Sequence, residues 1–408
     1  MRERLVVIGN GMAAGRLVEE LLERAPDRYD IVIFGAEPRV NYNRIMLSPV
    51  LAGEKRFEDI VVHDEDWYAR NGVTLRRGER VVAIDRTARE VTTDSGVRAS
   101  YDELVIATGS EPVVIPVPGN DLPGVVTFRD LDDVEAMLAA AAIGSRAVVI
   151  GGGLLGLEAA AGLAANGMRT SLVHLMPTLM ERQLDEQAGI LLRQAVESRG
   201  IVVHTGANTR AIAGNTRVTG VELDDGRTLE ADLVVMAAGI RPNTRLAGGA
   251  GIRVDRGVIV DDYLRTSDPH ISAIGECVQH RGKCYGLVGP IYDMAASLAT
   301  RLADGSGVPF RAGDQSTKLK VTGIDLYSAG EFAPAEGRQD IVVNDPARRT
   351  YRRVVLDGSR LAGVVLYGDT RDSGWYLDLL KRGTDVAALR ETLIFGRSLG
   401  DARAEPAA

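Results

Sequence analysis

Two stretches of this 408-residue chain have the residue types and spacing to hold a phosphate. The first is Gly9-Asn10-Gly11-Met12-Ala13-Ala14-Gly15, directly after the apolar run Leu-Val-Val-Ile at 5–8. The second is Gly151-Gly152-Gly153-Leu154-Leu155-Gly156, directly after Ala-Val-Val-Ile at 147–150. In such a stretch the first glycine permits a tight turn and the second lets the backbone approach a pyrophosphate. The third position needs a small residue so that a helix can pack on a strand. Ala14 fills that third place in the first stretch. The helix that follows points free N–H groups and the positive end of its dipole at the phosphates. One such stretch is weak evidence for a nucleotide site; two are strong when their surroundings also match.

The surroundings do match. A second apolar strand follows each turn, at 31–34 and at 170–173. Each copy closes on a further strand and a small-residue turn, Leu104-Val105-Ile106-Ala107-Thr108-Gly109 and Leu233-Val234-Val235-Met236-Ala237-Ala238-Gly239. An acid at the end of the second strand is what binds a ribose diol. Glu37 stands 22 residues after Gly15, at the expected offset. In the second copy the equivalent residue is His174. A neutral imidazole can still hydrogen-bond a ribose hydroxyl, whereas a cationic one tolerates a 2′-phosphate. No arginine follows until Arg182, so a phosphate clamp is not evident and NADH is weakly favoured over NADPH.

These turns need parallel strands and crossover helices around them, so the fold class expected is α/β with two Rossmann-like βαβ domains. Residues 110–146 link the copies through Pro- and Gly-rich turns and an amphipathic helix at 131–142. A strand is expected at 257–260, and another at 271–274 runs into Gly275-Glu276-Cys277, which can aim a carboxylate at a ligand above the sheet. Beyond about 311 the pattern becomes antiparallel, with strands at 318–321, 340–343, 351–356 and 361–367. Helices are expected at 375–382 and 386–394, with a frayed tail at 401–408. That segment is read as a C-terminal α+β domain.

Composition excludes several classes. A net charge of −8 argues against a nucleic-acid binder. Cys277 and Cys284 are the only cysteines, too few for a disulfide scaffold or a protein-ligated iron–sulfur cluster. Their Cys-x₆-Cys spacing is not a redox or zinc pattern, so both are read as reduced structural thiols. The five histidines have no metal spacing, and no metal site is expected. The N-terminus is too short in apolar residues for a signal peptide, and no stretch is long enough to span a membrane. The cytoplasm is the expected compartment.

The order GxGxxA, ATG, GGGxxGxE, a second Gly turn with Arg241-Pro242-Asn243 and the Gly-Glu-Cys strand resembles the two-dinucleotide flavoprotein reductases. The likeness is strongest to the flavoprotein module of the NAD(P)H-dependent nitrite reductase large subunit, and extends to rubredoxin and ferredoxin reductases. It is carried by Glu37-Pro38-Arg39, Tyr42-Asn43-Arg44, Met176-Pro177-Thr178-Leu179-Met180, Gln183-Leu184-Asp185, Thr266-Ser267-Asp268-Pro269 and Tyr285-Gly286-Leu287-Val288. The resemblance implies FAD on a domain of 1–113 and 244–310, NAD(P)H on an inserted domain of 114–243, and an interface domain of 311–408. Residues 41–51 hold no cysteine, and the last histidine is His280, so disulfide reduction and peroxide reduction lack their residues. The iron–sulfur and sirohaem domains of nitrite reductase are also absent from the sequence.

By the same resemblance Gly9, Gly11, Met12, Ala13 and Ala14 hold the FAD pyrophosphate and Glu37 its ribose. Thr108, Gly109, Gly275, Glu276, Leu287 and Val288 line the cofactor, Val81 meets the adenine, and Arg129 lies along it. Gly151, Gly153, Leu154, Leu155, Gly156, His174 and Gly239 serve NAD(P)H. Arg44 and Glu158 are expected to form an ion pair beside the flavin and to act in catalysis. The implied activity is hydride transfer from NAD(P)H to FAD. Electrons then pass to a separate acceptor, an iron–sulfur protein or nitrate/nitrite reductase subunit, with a rubredoxin or ferredoxin as the alternative. A non-catalytic FAD/NAD sensor is a third reading. The cluster Arg348, Arg349, Arg352, Arg353 is a candidate docking patch for an acidic partner, or else a solvated hairpin edge. Monomer and homodimer both remain open.

Overall fold

The computed structural model describes residues 2–305, 307–313, 316–321 and 323–398. By compactness the chain divides into two units, Met1–Val113 with Gly239–Gly313, and Val114–Ala238 with Asp314–Ala408. The expected tail at 401–408 lies outside the described residues.

The first unit is built on β1 (Glu3–Ile8), α1 (Met12–Arg24), β2 (Tyr29–Gly35) and β3 (Glu103–Ile106). Its parallel sheet runs Ile271–Ala273, β3, β1, β2, Thr74–Arg77. The strands are apolar almost throughout because helices cover the sheet. Leu5, Val6 and Val7 of β1 and Leu104 and Ile106 of β3 are fully buried. The helix Val288–Asp304 packs against α1, with Met294, Ala295, Leu298 and Ala299 turned into the core. A small antiparallel sheet, Val81–Asp85, Glu90–Thr93 and Arg98–Ser100, completes the unit.

The second unit repeats the plan. The helix Leu131–Ile143 begins at a capping box, in which Asp130 and Asp133 each accept the other's backbone N–H. Then follow β4 (Arg146–Ile150), α2 (Leu154–Ala165), β5 (Arg169–His174), α3 (Glu186–Glu197) and β6 (Leu233–Met236). The parallel order is Val125–Thr127, β6, β4, β5, Val202–Thr205.

The C-terminal segment groups with this second unit but keeps an apolar core of its own. Strands β7 (Ser316–Val321), β8 (Ile324–Gly330), β9 (Arg338–Asp345), β10 (Thr350–Asp357) and β11 (Arg360–Tyr367) form an antiparallel sheet in the order β7-β8-β11-β10-β9. The strand Ile324–Gly330 was not expected from the sequence. The helix α4 (Ser373–Arg382) forms near its expected place. The helix expected at 386–394 does not. Two single turns, Ala387–Leu389 and Leu393–Phe395, stand there instead. The amides there close three-residue turns, Leu389 donating to Val386 and Thr392 to Leu389, both at 2.9 Å. Tyr376 of α4 then donates its hydroxyl to the Leu393 carbonyl at 2.7 Å and Arg352 of β10 reaches that of Ile394, so side chains satisfy the carbonyls at the end of the second turn. Among the described residues, no helix is long and apolar enough to cross a membrane.

Candidate functional site: two glycine-rich cradles

In the first unit β1 runs into Gly9, at φ +113°, where only glycine is unstrained. A Cβ there would stand 2.2 Å from the Ala107 carbonyl oxygen at the end of β3. The Gly9 amide donates to the Phe34 carbonyl of β2 at 2.8 Å. The turn is therefore clamped from both neighbouring strands. Helix α1 starts at Met12 behind an extended Gly11, with no side-chain cap and no acid in its first turn. Its leading amides have no partner within the helix. A Cβ on Gly11 would meet nothing within 4 Å, so the space over those amides is open. The cradle fits a pyrophosphate.

A residue the sequence reading passed over braces this turn. Asn41 is 1% exposed and donates its Nδ2 to the carbonyls of Asn10 (2.9 Å) and Gly11 (3.0 Å). Its side chain lies so close to Gly15 that a Cβ there would be 2.9 Å from Oδ1. The signal was a polar residue beside the quoted Tyr42-Asn43-Arg44, and its burial could not be read from one sequence.

Glu37 follows β2, on the same edge of the sheet as the turn. Tyr42 donates its hydroxyl to Glu37 Oε2 at 2.7 Å, and Arg44 Nη2 donates to Oε1. The Arg44 guanidinium also lies over the Tyr42 ring, 5.2 Å from its centroid. The carboxylate is held in place and aimed, with lone pairs left to accept ribose hydroxyls. Arg44, expected to pair with Glu158, thus has a carboxylate partner inside its own unit.

The rest of the first site collects at the same ends of the parallel strands, where α/β sheets bind ligands. Thr108 donates its hydroxyl to the Asn243 carbonyl at 2.9 Å, and the Asn243 amide donates to the Gly109 carbonyl at 2.9 Å. Gly275 brings the turn Gly275–Cys277 against α1, where its Cβ would be 3.1 Å from that of Ala13. Glu276 accepts from the Ser110 hydroxyl at 2.7 Å. Val81 is buried at the start of the small antiparallel sheet, and the amides of Gly78 and Glu79 tie that approach to the carbonyls of Glu37 and Gly35. Leu287 and Val288 stand at the uncapped N-terminus of the helix Val288–Asp304. Both cysteines are free thiols. Burial pushes the Cys277 thiol up to about 11, so it stays protonated and unreactive.

The second unit builds the same cradle from its own residues. Gly151 has φ +127°, and a Cβ there would lie 2.2 Å from the Ala237 carbonyl oxygen. Its amide donates to the Val173 carbonyl at 2.8 Å. A Cβ at Gly156 would be 1.8 Å from the Gly151 carbonyl oxygen, which is why the third position must be small. Helix α2 begins at Leu154 and Leu155 behind an extended Gly153, again with no side-chain cap and no acid in the first turn. His174 ends β5 and is 9% exposed. Glu158 is the fifth residue of α2, at the start of its second turn.

The structure places two further expected residues and the basic cluster as follows. Gly239, expected with the second cradle, opens the returning stretch of the first unit, where its carbonyl accepts from Val113. Arg129, expected along the first cofactor, lies in the second unit, and its amide donates to Asp133. The basic cluster is not one patch. Arg352 pairs with Asp369 and Asp372, and Arg353 with Asp185 and Asp340. Among the described residues, no group of three or more His, Cys, Asp or Glu could hold a metal ion.

Comparison with known proteins places this geometry. Residues 316–384 match the rubredoxin NAD+ reductase C-terminal domain. The chain is 46% identical over 386 residues to a nitrite reductase [NAD(P)H] of Bacillus subtilis, covering 95% of this chain and 48% of that protein. It is 43% identical over 396 residues to the assimilatory nitrate reductase electron transfer subunit of the same organism, covering 96% and 51%. The chain thus spans about half the length of these curated relatives. Among solved structures, the ferredoxin reductase for the CYP199A2 system from Rhodopseudomonas palustris superposes with a TM-score of 0.83 at 29% identity, over 95% of this chain and 98% of that one. The pyridine nucleotide-disulphide oxidoreductase model matches residues 3–291, more than half of the sequence with both glycine-rich turns included, and the chain belongs to that family.

Proposed function

We propose that the chain takes reducing equivalents from NAD(P)H, NADH by preference, and delivers them to a separate redox protein of nitrate or nitrite assimilation. Its cofactors are FAD and NAD(P)H. The duplicated cradle carries the reading: two turns with matched clamps, each over an uncapped helix with no acid in its first turn. The Bacillus subtilis likenesses support this choice of acceptor class. When bound, FAD converts between the two-electron chemistry of a nicotinamide and one-electron carriers.

The chain's own residues bind and orient. The first amides of α1 hold the FAD pyrophosphate, and Glu37, fixed by Tyr42 and Arg44, holds the ribose. Glu276, fixed by Ser110, faces the cofactor from the Gly275–Cys277 turn. The first amides of α2 hold the second pyrophosphate. Arg44 and Glu158 are the side chains given a part in the hydride step. Arg44→Ala is expected to slow flavin reduction by NADH in stopped flow. Flavin occupancy must be measured alongside, because the same guanidinium steadies Glu37.

Anaerobic addition of NADH should bleach the flavin absorbance. Absence of bleaching would favour a non-catalytic sensor. The acceptor is then found by cytochrome c reduction with added carriers. A rubredoxin or ferredoxin acceptor is the second reading, supported by the match at 316–384 and by the ferredoxin reductase likeness. Activity with a nitrite or nitrate reductase component alone supports the first; activity with rubredoxin or ferredoxin alone supports the second.

A further inference from the structure

The residue that ends β5 leaves a question of chemistry. His174 stands where an acid would bind the adenosine ribose, yet both of its ring nitrogens are occupied. The Gly152 amide lies 3.0 Å from Nδ1, and a backbone amide can only donate. Nδ1 is therefore the acceptor, and the ring proton sits on Nε2. Nε2 lies 3.0 Å from Glu181 Oε2 and donates to it. The imidazole has nothing left for a ligand. With both ring nitrogens engaged, the ring presents no donor to a 2′-phosphate either.

The surroundings are built for this arrangement. A Cβ at Gly152 would fall 2.5 Å from His174 Cγ and 2.8 Å from Leu179 Cδ2. That accounts for the middle glycine of Gly151-Gly152-Gly153, where the first turn carries Asn10. The segment carrying Glu181 is pinned on both sides. The Met180 amide donates back to the Gly152 carbonyl at 3.1 Å, and Leu179 and Met180 are buried. Asp185 caps α3 and is gripped by the Tyr351 hydroxyl and Arg353 of β10. The Glu181 side chain itself is 29% exposed, against 11% for His174.

We propose that Glu181, oriented by His174, is the carboxylate that reads the adenosine ribose of the nicotinamide dinucleotide, accepting its 2′- and 3′-hydroxyls and repelling a 2′-phosphate. The inference rests on the reading that the second cradle holds the NAD(P)H pyrophosphate. Glu181 is the specificity residue and His174 a positioning residue. The ribose acid has moved from the strand end to a neighbouring loop, and a histidine relays its placement. The exposed Leu175 and Met176 beside it offer apolar surface for the base.

The test is calorimetric titration of the FAD-loaded chain with ADP-ribose and with 2′-phospho-ADP-ribose. The wild type should prefer ADP-ribose by about 100-fold, since a charge-assisted hydrogen bond is gained with one and a like charge met with the other. Glu181→Gln should narrow that ratio by about tenfold or more, because the amide keeps the shape and loses the charge. His174→Ala should narrow the ratio as well. A merely structural lesion there would weaken both ligands alike and leave the ratio unmoved, which would overturn the positioning role. A wild-type ratio near one, or a Glu181→Gln ratio within twofold of wild type, overturns the assignment of Glu181 while leaving the second cradle standing. Failure of the wild type to bind either ligand overturns the cradle and the inference together.

Discussion

Replacing Gly151 by alanine tests the second cradle with the smallest possible change. The residue sits at φ +127°, and an alanine held there costs about 1–3 kcal/mol in backbone strain. Its Cβ would lie 2.2 Å from the Ala237 carbonyl oxygen, about 0.8 Å inside the 3.0 Å that real Cβ contacts respect. Neither partner is a flexible side chain; both belong to the parallel sheet, through β4 and β6. The turn must move by most of that distance, which exceeds the roughly 0.5 Å within which a binding constellation keeps its function. Together these place the loss near 3 kcal/mol, or about 100-fold in affinity for ADP-ribose. Calorimetry on the FAD-loaded protein reads it, and flavin absorbance reports whether the first cradle survives. Gly9→Ala should give the converse, loss of flavin with ADP-ribose binding retained, because it repeats the clash against Ala107. Gly153→Ala is the control. Its backbone is extended, and its Cβ would meet nothing within 4 Å. The melting temperature should therefore hold while the methyl crowds the ligand. A Gly151→Ala protein that binds ADP-ribose within threefold of wild type would refute the clamp.

Three further substitutions probe the frame around the cradles. Asp232 accepts from the amide of Ser145 and from Arg146, and these hold its carboxyl at about 2. A folded pKa below the unfolded one means stabilisation that is complete above pH about 4 and lost as pH falls toward 2. With the side chain about a third exposed, Asp232→Asn should cost about 1 kcal/mol at pH 6, and urea melts should show that gap mostly closed at pH 2.5 and gone only as pH falls below about 2. Arg353→Met leaves Asp185, only 9% exposed, without its cation, and denaturant unfolding should record a loss of about 3 kcal/mol. Tyr376→Phe strands the Leu393 carbonyl beside a fully buried ring, and about 2 kcal/mol should be lost in the same assay.

Much of the frame was legible because period and punctuation are local. Apolar runs ending in glycine marked β1 and β4, and apolar runs closed by small or turn residues located β3, β6 and the antiparallel strands β9 to β11. The Ile324–Gly330 strand escaped because its run, Ile-Asp-Leu-Tyr-Ser-Ala-Gly, mixes small and polar residues and takes its partners from β7 and β11. The two glycine-rich turns were legible for the same reason as the strands, since Gly9, Gly151 and Gly156 answer to steric limits that the order of residue types announces. The carboxylates proposed for the two riboses were less so. Glu37 is offered by its offset, but its bracing by Tyr42 and Arg44 depends on where the chain returns after β2. Glu181 lies seven residues past the expected acid and enters only through the ring of His174.

The arginine cluster is a lesson in what adjacency means on a strand. Successive side chains on β10 point to opposite faces of the sheet. Arg352 therefore joins Val354 and Leu356 on the face that α4 covers, where it meets Asp369 and Asp372. Arg353 joins Tyr351 on the other face, which packs toward α3 and Asp185. Tyr367 of β11 donates to the Leu191 carbonyl of α3 on that same side. Two neighbouring positive charges are thus spent on two different internal contacts, each answered by carboxylates. Arg348 and Arg349 remain at the hairpin tip, Arg348 beside Asp345 and Arg349 at φ +53°. A tip of two exposed arginines with an acid alongside is a weak electrostatic lure. Reversing both, Arg348→Glu with Arg349→Glu, should leave electron delivery to an acidic carrier within about threefold of wild type at low salt. A collapse of that rate, relieved by salt, would return the docking role to this hairpin.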